Sequence, residues 1–343
     1  MIHRFALAAL LSLILTFATA ARATQYSSLY VFGDSLSDAG DNPAAVLSIF
    51  GLTGGALQPP PYFGGRFSNG PVAAEVLAST LGLNDPLHFF DFAVGGATTG
   101  LGNTGDGGTT TSFGSVNLPG IGAQVGGFLA GVPALDPAAL YMLWGGPNDF
   151  LNTNPDVAAI LTVCGGNALC IIAAANAVVI PGAVADLTAA LIALHAAGAQ
   201  HFLVPNMVDL GLTPRAASLG ATGLFSLVST AFNNALAAAL LGLPFASDIV
   251  QFDTAAALNA VLADPAAHGF TNTTDPCLNP GPCADPDSHV FWDDLHPTAH
   301  IHAILGGQLA AAVPLPSSAL LFALAWMLLR SRAYARRPDL RAA

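Results

Sequence analysis

The sequence predicts an α/β protein built on a doubly wound parallel sheet. Three observations carry this reading. Five short strand-like runs recur along the chain, at residues 29–32, 89–94, 139–144, 201–205 and 249–252. Helical, often alanine-rich stretches separate them, and strands that alternate with helices call for parallel strands joined by right-handed crossovers. Three of the runs stop at a glycine turn: Gly33-Asp34, Gly95-Gly96 and Gly145-Gly146. In open parallel sheets reactive groups gather beyond the carboxyl ends of the strands. Ser35, Gly96 and Asn148 each fall just after one of these strands.

The elements follow in order. Residues 43–50 are helical in character, and 51–65 form a Gly/Pro-rich loop. The phrase at 62–70, Tyr-Phe-Gly-Gly-Arg-Phe-Ser-Asn-Gly, surrounds Arg66 with aromatics. A structural ion pair to a nearby acid is expected of this arginine, ahead of a substrate role. Pro71 opens a helix that runs to Leu81. The loop at 100–114 contains Gly100-x-Gly102-x-x-Gly105, which has the form of a dinucleotide fingerprint. No strand directly precedes it and no helix follows, so it reads as loop. Residues 121–131 are helical. Residues 155–198 are alanine-rich and helical, with breaks expected near Cys164–Cys170 and at Pro181, which can open a second helix that stops at Gly198. Residues 224–241 form another helix. No strong linker interrupts 24–313, so one catalytic domain is expected over residues 24–312.

The two ends read differently. Residues 1–23 begin Met-Ile-His-Arg, run apolar over 5–17, and reach Ala18-Thr19-Ala20 and Ala21-Arg22-Ala23. That is the layout of a secretory signal peptide, and its apolar core is short for a retained anchor. Residues 313–343 form a separate tail: Val-Pro-Leu-Pro-Ser-Ser, an apolar run over 319–329, then five arginines. Such a segment halts translocation with its arginines in the cytoplasm, or lies in the interface. Membrane contact is expected only through this helix.

Composition bounds the partners. The chain is 53% hydrophobic and only 9% charged, and it has no lysine. Within residues 24–313 two arginines, Arg66 and Arg215, face twenty acids. Such a surface repels nucleic acid and anionic membranes. Export favours disulfides, and Cys164, Cys170, Cys277 and Cys283 pair most simply as 164–170 and 277–283, the local one of three connectivities. Zinc is the alternative, disfavoured by the absence of Cys-x-x-Cys spacing. The histidines at 289, 300 and 302 lack a carboxylate-rich ligand set and are expected to be surface or core residues. No cofactor or metal is expected.

Two stretches carry chemistry. Ser35 sits on the turn after the first strand, either as a helix-capping serine or as a nucleophile. Near the other end comes Phe291-Trp292-Asp293-Asp294-Leu295-His296-Pro297-Thr298. Asp and His three residues apart meet within one turn of chain, either as a surface pair or as a base and its orienting acid. In the second case Asp293 accepts the imidazole Nδ1–H and Nε2 is left for Ser35.

Taken together, Gly33-Asp34-Ser35-Leu36, residues 91–99 (Asp-Phe-Ala-Val-Gly-Gly-Ala-Thr-Thr), residues 144–150 (Trp-Gly-Gly-Pro-Asn-Asp-Phe) and Asp293-x-x-His296 resemble the four blocks of the GDSL, or SGNH, hydrolases. The resemblance covers essentially the whole mature chain. It implies a flavodoxin-like three-layer sandwich with a five-stranded parallel sheet. It also implies an esterase or lipase in which Ser35, His296 and Asp293 are catalytic. The oxyanion would be held by the backbone N–H groups of Ser35 and Gly96 and by the Asn148 amide. Asp34, Asp149 and Asp294 are assigned to structure. Asp91 stands where the family often has Asn and is expected to support a turn. The tail resembles a PEP-CTERM sorting signal of Gram-negative bacteria, which implies an exosortase-type partner and display outside the cell, although Leu315 replaces the usual glutamate. The substrate classes implied are lipids, simple esters and acetylated sugars. An exopolysaccharide O-deacetylase and a phospholipid acyltransferase are the enzymic alternatives. A surface adhesion or matrix protein that keeps the fold is the non-enzymic one.

Overall fold

Strand β1 (Leu29–Gly33) lies inside a five-stranded sheet, with a parallel neighbour on each side. The other strands are β2 (Phe89–Asp91), β3 (Leu140–Trp144), β4 (His201–Pro205) and β5 (Ile249–Phe252). Their order is β2-β1-β3-β4-β5, all parallel, as the alternation of strands and helices requires. Every residue of β3 is buried, as expected of a strand covered on both faces. The computed structural model describes residues 26–40, 62–151 and 153–314. The signal peptide expected at 1–23, the helix expected at 43–50 and the tail beyond 314 lie outside the described residues.

The second strand is shorter than the apolar run suggests, ending at Asp91 rather than Val94. The Asp91 carboxylate accepts the N–H groups of Ala39 and Ala93 and bends the chain there, the turn-supporting role expected of it. Phe92 and Val94 still donate to Val31 and Gly33 across the sheet.

Eight helices are described: α1 (Ala73–Leu81), α2 (Ile121–Gly131), α3 (Pro155–Cys164), α4 (Ala168–Ala196), α5 (Pro214–Ser218), α6 (Thr222–Leu241), α7 (Thr254–Ala263) and α8 (Ala299–Ala312). One face of the sheet, including Phe32, Tyr141, Leu143 and Phe202, shares a core with Ile121 of α2, Leu187 and Leu191 of α4 and Phe232 of α6. Leu29, Val31, Met142 and Leu203 point the other way by the pleat and are also fully buried, so both faces are covered. Helices α1 and α8 pack together so closely that a Cβ on Gly306 would lie 2.5 Å from the Val76 Cβ.

Pro181 does not open a new helix. Helix α4 runs through it, with a π-helical turn at Ala175–Val179 just upstream. A proline ring collides with the carbonyl four residues earlier and offers no N–H, and the wider turn accommodates both defects. The expected break near the first cysteine pair does occur. Gly165 and Gly166 take positive φ after α3, and Asn167 caps α4 by accepting the Cys170 N–H. Disulfides join Cys164 to Cys170 and Cys277 to Cys283. The second lies beside a small parallel ladder of β6 (Asn272–Pro276) and β7 (His289–Phe291), which the sequence patterning did not announce. The Gly100–Gly105 stretch is loop, as read from its flanks, with a single short turn at Thr104–Asp106.

His302 of α8 is fully buried, and its Nδ1 accepts the Ala73 N–H at the start of α1. Burial, aided by the nearby His296, pushes its imidazole down to about 3. An unfolded histidine titrates near 6.5, so below that pH the unfolded chain binds a proton that the folded one refuses. This contribution to stability is present above about pH 6.5 and is lost as pH falls toward 3. Thermal melts at about pH 7 and about pH 4.5 are expected to show a smaller acid loss for His302→Asn than for the parent, although the variant starts less stable.

Candidate active site

The turn after β1 is fixed from three sides. Gln124 of α2 both donates to the Gly33 carbonyl and accepts the Gly33 N–H, each at 2.9 Å. Asp34 accepts the Leu36 N–H, while Ser37 and Asp38 donate to the Asp34 carbonyl. Asp38 in turn accepts the Gly95 N–H at 2.7 Å, joining this turn to the one after β2. Ser35 therefore sits on a held turn. Its Oγ lies 2.8 Å from His296 Nε2.

His296 Nδ1 lies 2.7 Å from Asp293 Oδ2. With the carboxylate accepting the Nδ1 proton, Nε2 is the acceptor for the serine hydroxyl, a tautomer assigned from these partners. The spacing of three works because Asp293 Oδ1 accepts the Leu295 and His296 N–H groups and closes the turn on itself. Burial alone would raise the Asp293 carboxyl. The adjacent His296 and these hydrogen bonds outweigh burial and hold the carboxyl below its usual range. Asp293 Oδ2 also accepts from the Tyr62 hydroxyl at 3.0 Å. Burial, together with the Asp293 charge, pushes the Tyr62 phenol up, so it stays a donor. The Phe67 ring covers His296 at 5.0 Å between centroids.

Gly96 has φ +80, a conformation natural to glycine. Its carbonyl is occupied by the N–H and hydroxyl of Thr104. Among the described residues the N–H groups of Ser35 and Gly96 meet no acceptor. Asn148 rides on a short turn, Pro147–Asp149, that follows Gly146 at φ +130. Its Nδ2 gives one hydrogen to the Ala97 carbonyl at 3.0 Å, which leaves the second amide hydrogen. Ser35, Gly96, Asn148 and His296 line one cavity of about 140 Å³ with Tyr62 and Arg215. The structure thus brings together all five residues singled out from the sequence.

The neighbouring acids act as braces. Asp149 accepts from the Thr99 N–H and from the Thr99 and Thr110 hydroxyls, tying the Asn148 turn to the glycine loop. Burial pushes its carboxyl up to about 7. Asp34 is pushed up to about 6 by burial, and its Oδ2 has no partner. Asp294 pairs with Arg215 through two hydrogen bonds of 2.9 and 2.8 Å. Arg66 pairs with Glu75 at 3.0 and 2.6 Å, the structural ion pair its surroundings suggest. Tyr62 and Gln124 escaped the reading from sequence. Tyr62 belongs to the quoted phrase at 62–70, but nothing local links it to an aspartate 231 residues away.

Comparison with known proteins places the chain among its relatives. The GDSL-like Lipase/Acylhydrolase family matches residues 29–309. A Pseudomonas putida protein, described as an uncharacterized protein in the trpE-trpG intergenic region, is 32% identical over 314 residues, covering 83% of this chain and 47% of its own. The thermolabile hemolysin of Vibrio parahaemolyticus is 28% identical, over 81% of this chain and 62% of its own. The chain thus spans about half to three-fifths of the length of these two relatives. The phosphatidylcholine-sterol acyltransferase of Aeromonas hydrophila is 25% identical over 84% of this chain and 90% of its own. The family match begins on β1, ends within α8 and takes in every residue of the site, and the chain belongs to the GDSL-like lipase/acylhydrolase family.

Proposed function

We propose that the protein is an exported serine ester hydrolase. Ser35 Oγ attacks the ester carbonyl while His296 takes its proton. The tetrahedral intermediate collapses to an acyl-enzyme as His296 returns that proton to the leaving alcohol. Water then repeats the sequence and releases the acid. Asp293 orients the imidazole and stabilises its charged form. The oxyanion lies among the Ser35 and Gly96 N–H groups and the remaining Asn148 amide hydrogen. The observation that carries this is the pair of contacts at 2.8 and 2.7 Å linking Ser35, His296 and Asp293. Tyr62 is a positioning residue that shares the Asp293 carboxylate with the imidazole.

Transfer of the acyl group to a second alcohol, in place of water, is the second reading, and the likeness to the Aeromonas hydrophila acyltransferase favours it. Export rests on the two disulfides and the expected leader. Handling of the tail by an exosortase-type enzyme rests on the sequence of residues 313–343 alone.

Hydrolysis of p-nitrophenyl acetate, butyrate and palmitate, and labelling by a fluorophosphonate, test the main reading. Ser35→Ala is expected to lose both label and turnover, with kcat down by at least about a thousandfold. Folded parent protein that neither turns over an ester nor takes the label defeats the proposal. Asn148→Ala is expected to lower kcat by about a hundredfold or more, roughly 3 kcal/mol, with little change in KM. Tyr62→Phe is expected to lower kcat by about tenfold.

A further inference from the structure

A second cavity, of about 550 Å³, lies beside the catalytic pocket. Its walls come from α3, α4 and α6, including Val157, Ile171, Val179, Leu224 and Val228. No residue lining it has a polar side chain. Its size and apolarity are those of a small-molecule site with nothing for a polar ligand to bond. Phe150 lines this cavity, and the next residue, Leu151, lines the catalytic pocket. Consecutive Cα atoms lie about 3.8 Å apart, so one strip of chain, beginning at Asn148, walls both spaces.

The surroundings have the same character. No charged residue occurs between Asp156 and Asp186, or between Arg215 and Asp248. Val163 is 85% exposed, Leu169 79% and Leu227 58%, on the three helices that form the walls. Large apolar side chains exposed on each of the three wall helices are what a surface that meets apolar partners presents. The Cys164–Cys170 disulfide closes the connection between α3 and α4, where Gly166 and Ala168 form part of the lining.

We propose that this cavity holds the acyl chain of the substrate, which is therefore an ester of a long-chain fatty acid. With the carbonyl at Ser35, the chain crosses the 148–151 strip and lies between α3, α4 and α6. This rests on the ester-hydrolase reading for its catalytic part, but not for binding.

The test fills the cavity from exposed positions. Ala168 is exposed, and a Cβ on Gly223 meets nothing within 4 Å. Ala168→Trp and Gly223→Trp are each made in the active protein and in Ser35→Ala. A fluorescent fatty acid, cis-parinaric acid, is expected to bind Ser35→Ala and to bind at least about tenfold more weakly when either tryptophan is added. The ratio of kcat/KM on p-nitrophenyl palmitate to that on acetate is expected to fall at least about tenfold in both tryptophan variants. Absence of fatty-acid binding, or binding and substrate ratio that ignore both tryptophans, overturns the acyl site. If the parent hydrolyses no ester and Ser35 takes no fluorophosphonate, the enzyme reading fails instead, and the fatty-acid titration still decides the cavity.

Discussion

The contact between Ser35 and His296 joins residues 261 positions apart, and the rest of the structure serves to hold it. Closing so long a loop costs entropy that one hydrogen bond does not return. The cost is met by packing at both ends. Ser35 leaves an inner strand buried at every residue but the partly buried Tyr30. The residues after His296 are tied to the segment around Arg66: Ser68 donates to the Pro297 carbonyl, Asn69 accepts the Ala299 N–H, and His302 accepts the Ala73 N–H. Helix α8 then locks against α1 at Gly306. The imidazole is placed by a scaffold that begins more than two hundred residues earlier.

Charge is managed by the same economy. The described part of the chain contains two arginines, and each is committed to one acid, Arg66 to Glu75 and Arg215 to Asp294. Buried acids must rely on N–H and O–H donors instead. Asp293 receives four such bonds and stays ionised. Asp149 receives bonds chiefly from two threonines, too little to offset burial, and is pushed toward neutrality. The two carboxylates differ in the imidazole charge beside Asp293, in the donors aimed at each, and in the Asp186 charge that faces Asp149, and this separates the charged member of the site from a brace one residue beyond Asn148.

Much of this was legible in the sequence, for reasons that differ by residue. The five strands show as apolar runs because a parallel strand is buried on both faces. The Asp293–His296 pairing follows from a spacing that one turn of chain satisfies, and the local disulfides from separations of six. What stayed hidden depends on long-range geometry. Tyr62 meets Asp293 only through the fold. The π turn before Pro181 is a tertiary accommodation, since the same proline in an isolated stretch is a helix opener. The β6–β7 ladder has runs such as Asn-Thr-Thr-Asp-Pro, whose polarity gives no strand pattern. The apolar cavity arises where three helices fail to close, and periodicity along any one of them does not report it.

The pairing of both arginines has a consequence outside catalysis. Proteases of trypsin type cut only after lysine or arginine, and residues 24–313 contain no lysine and just these two arginines. Each guanidinium is clamped by two hydrogen bonds to a carboxylate. Arg66 lies in a turn beside the buried Phe67, and Arg215 lies in α5 beside the buried Ala216. Every bond such proteases recognise between residues 24 and 313 is held at a side chain already occupied, so resistance to proteases of this kind is built into the same ion pairs that steady the site.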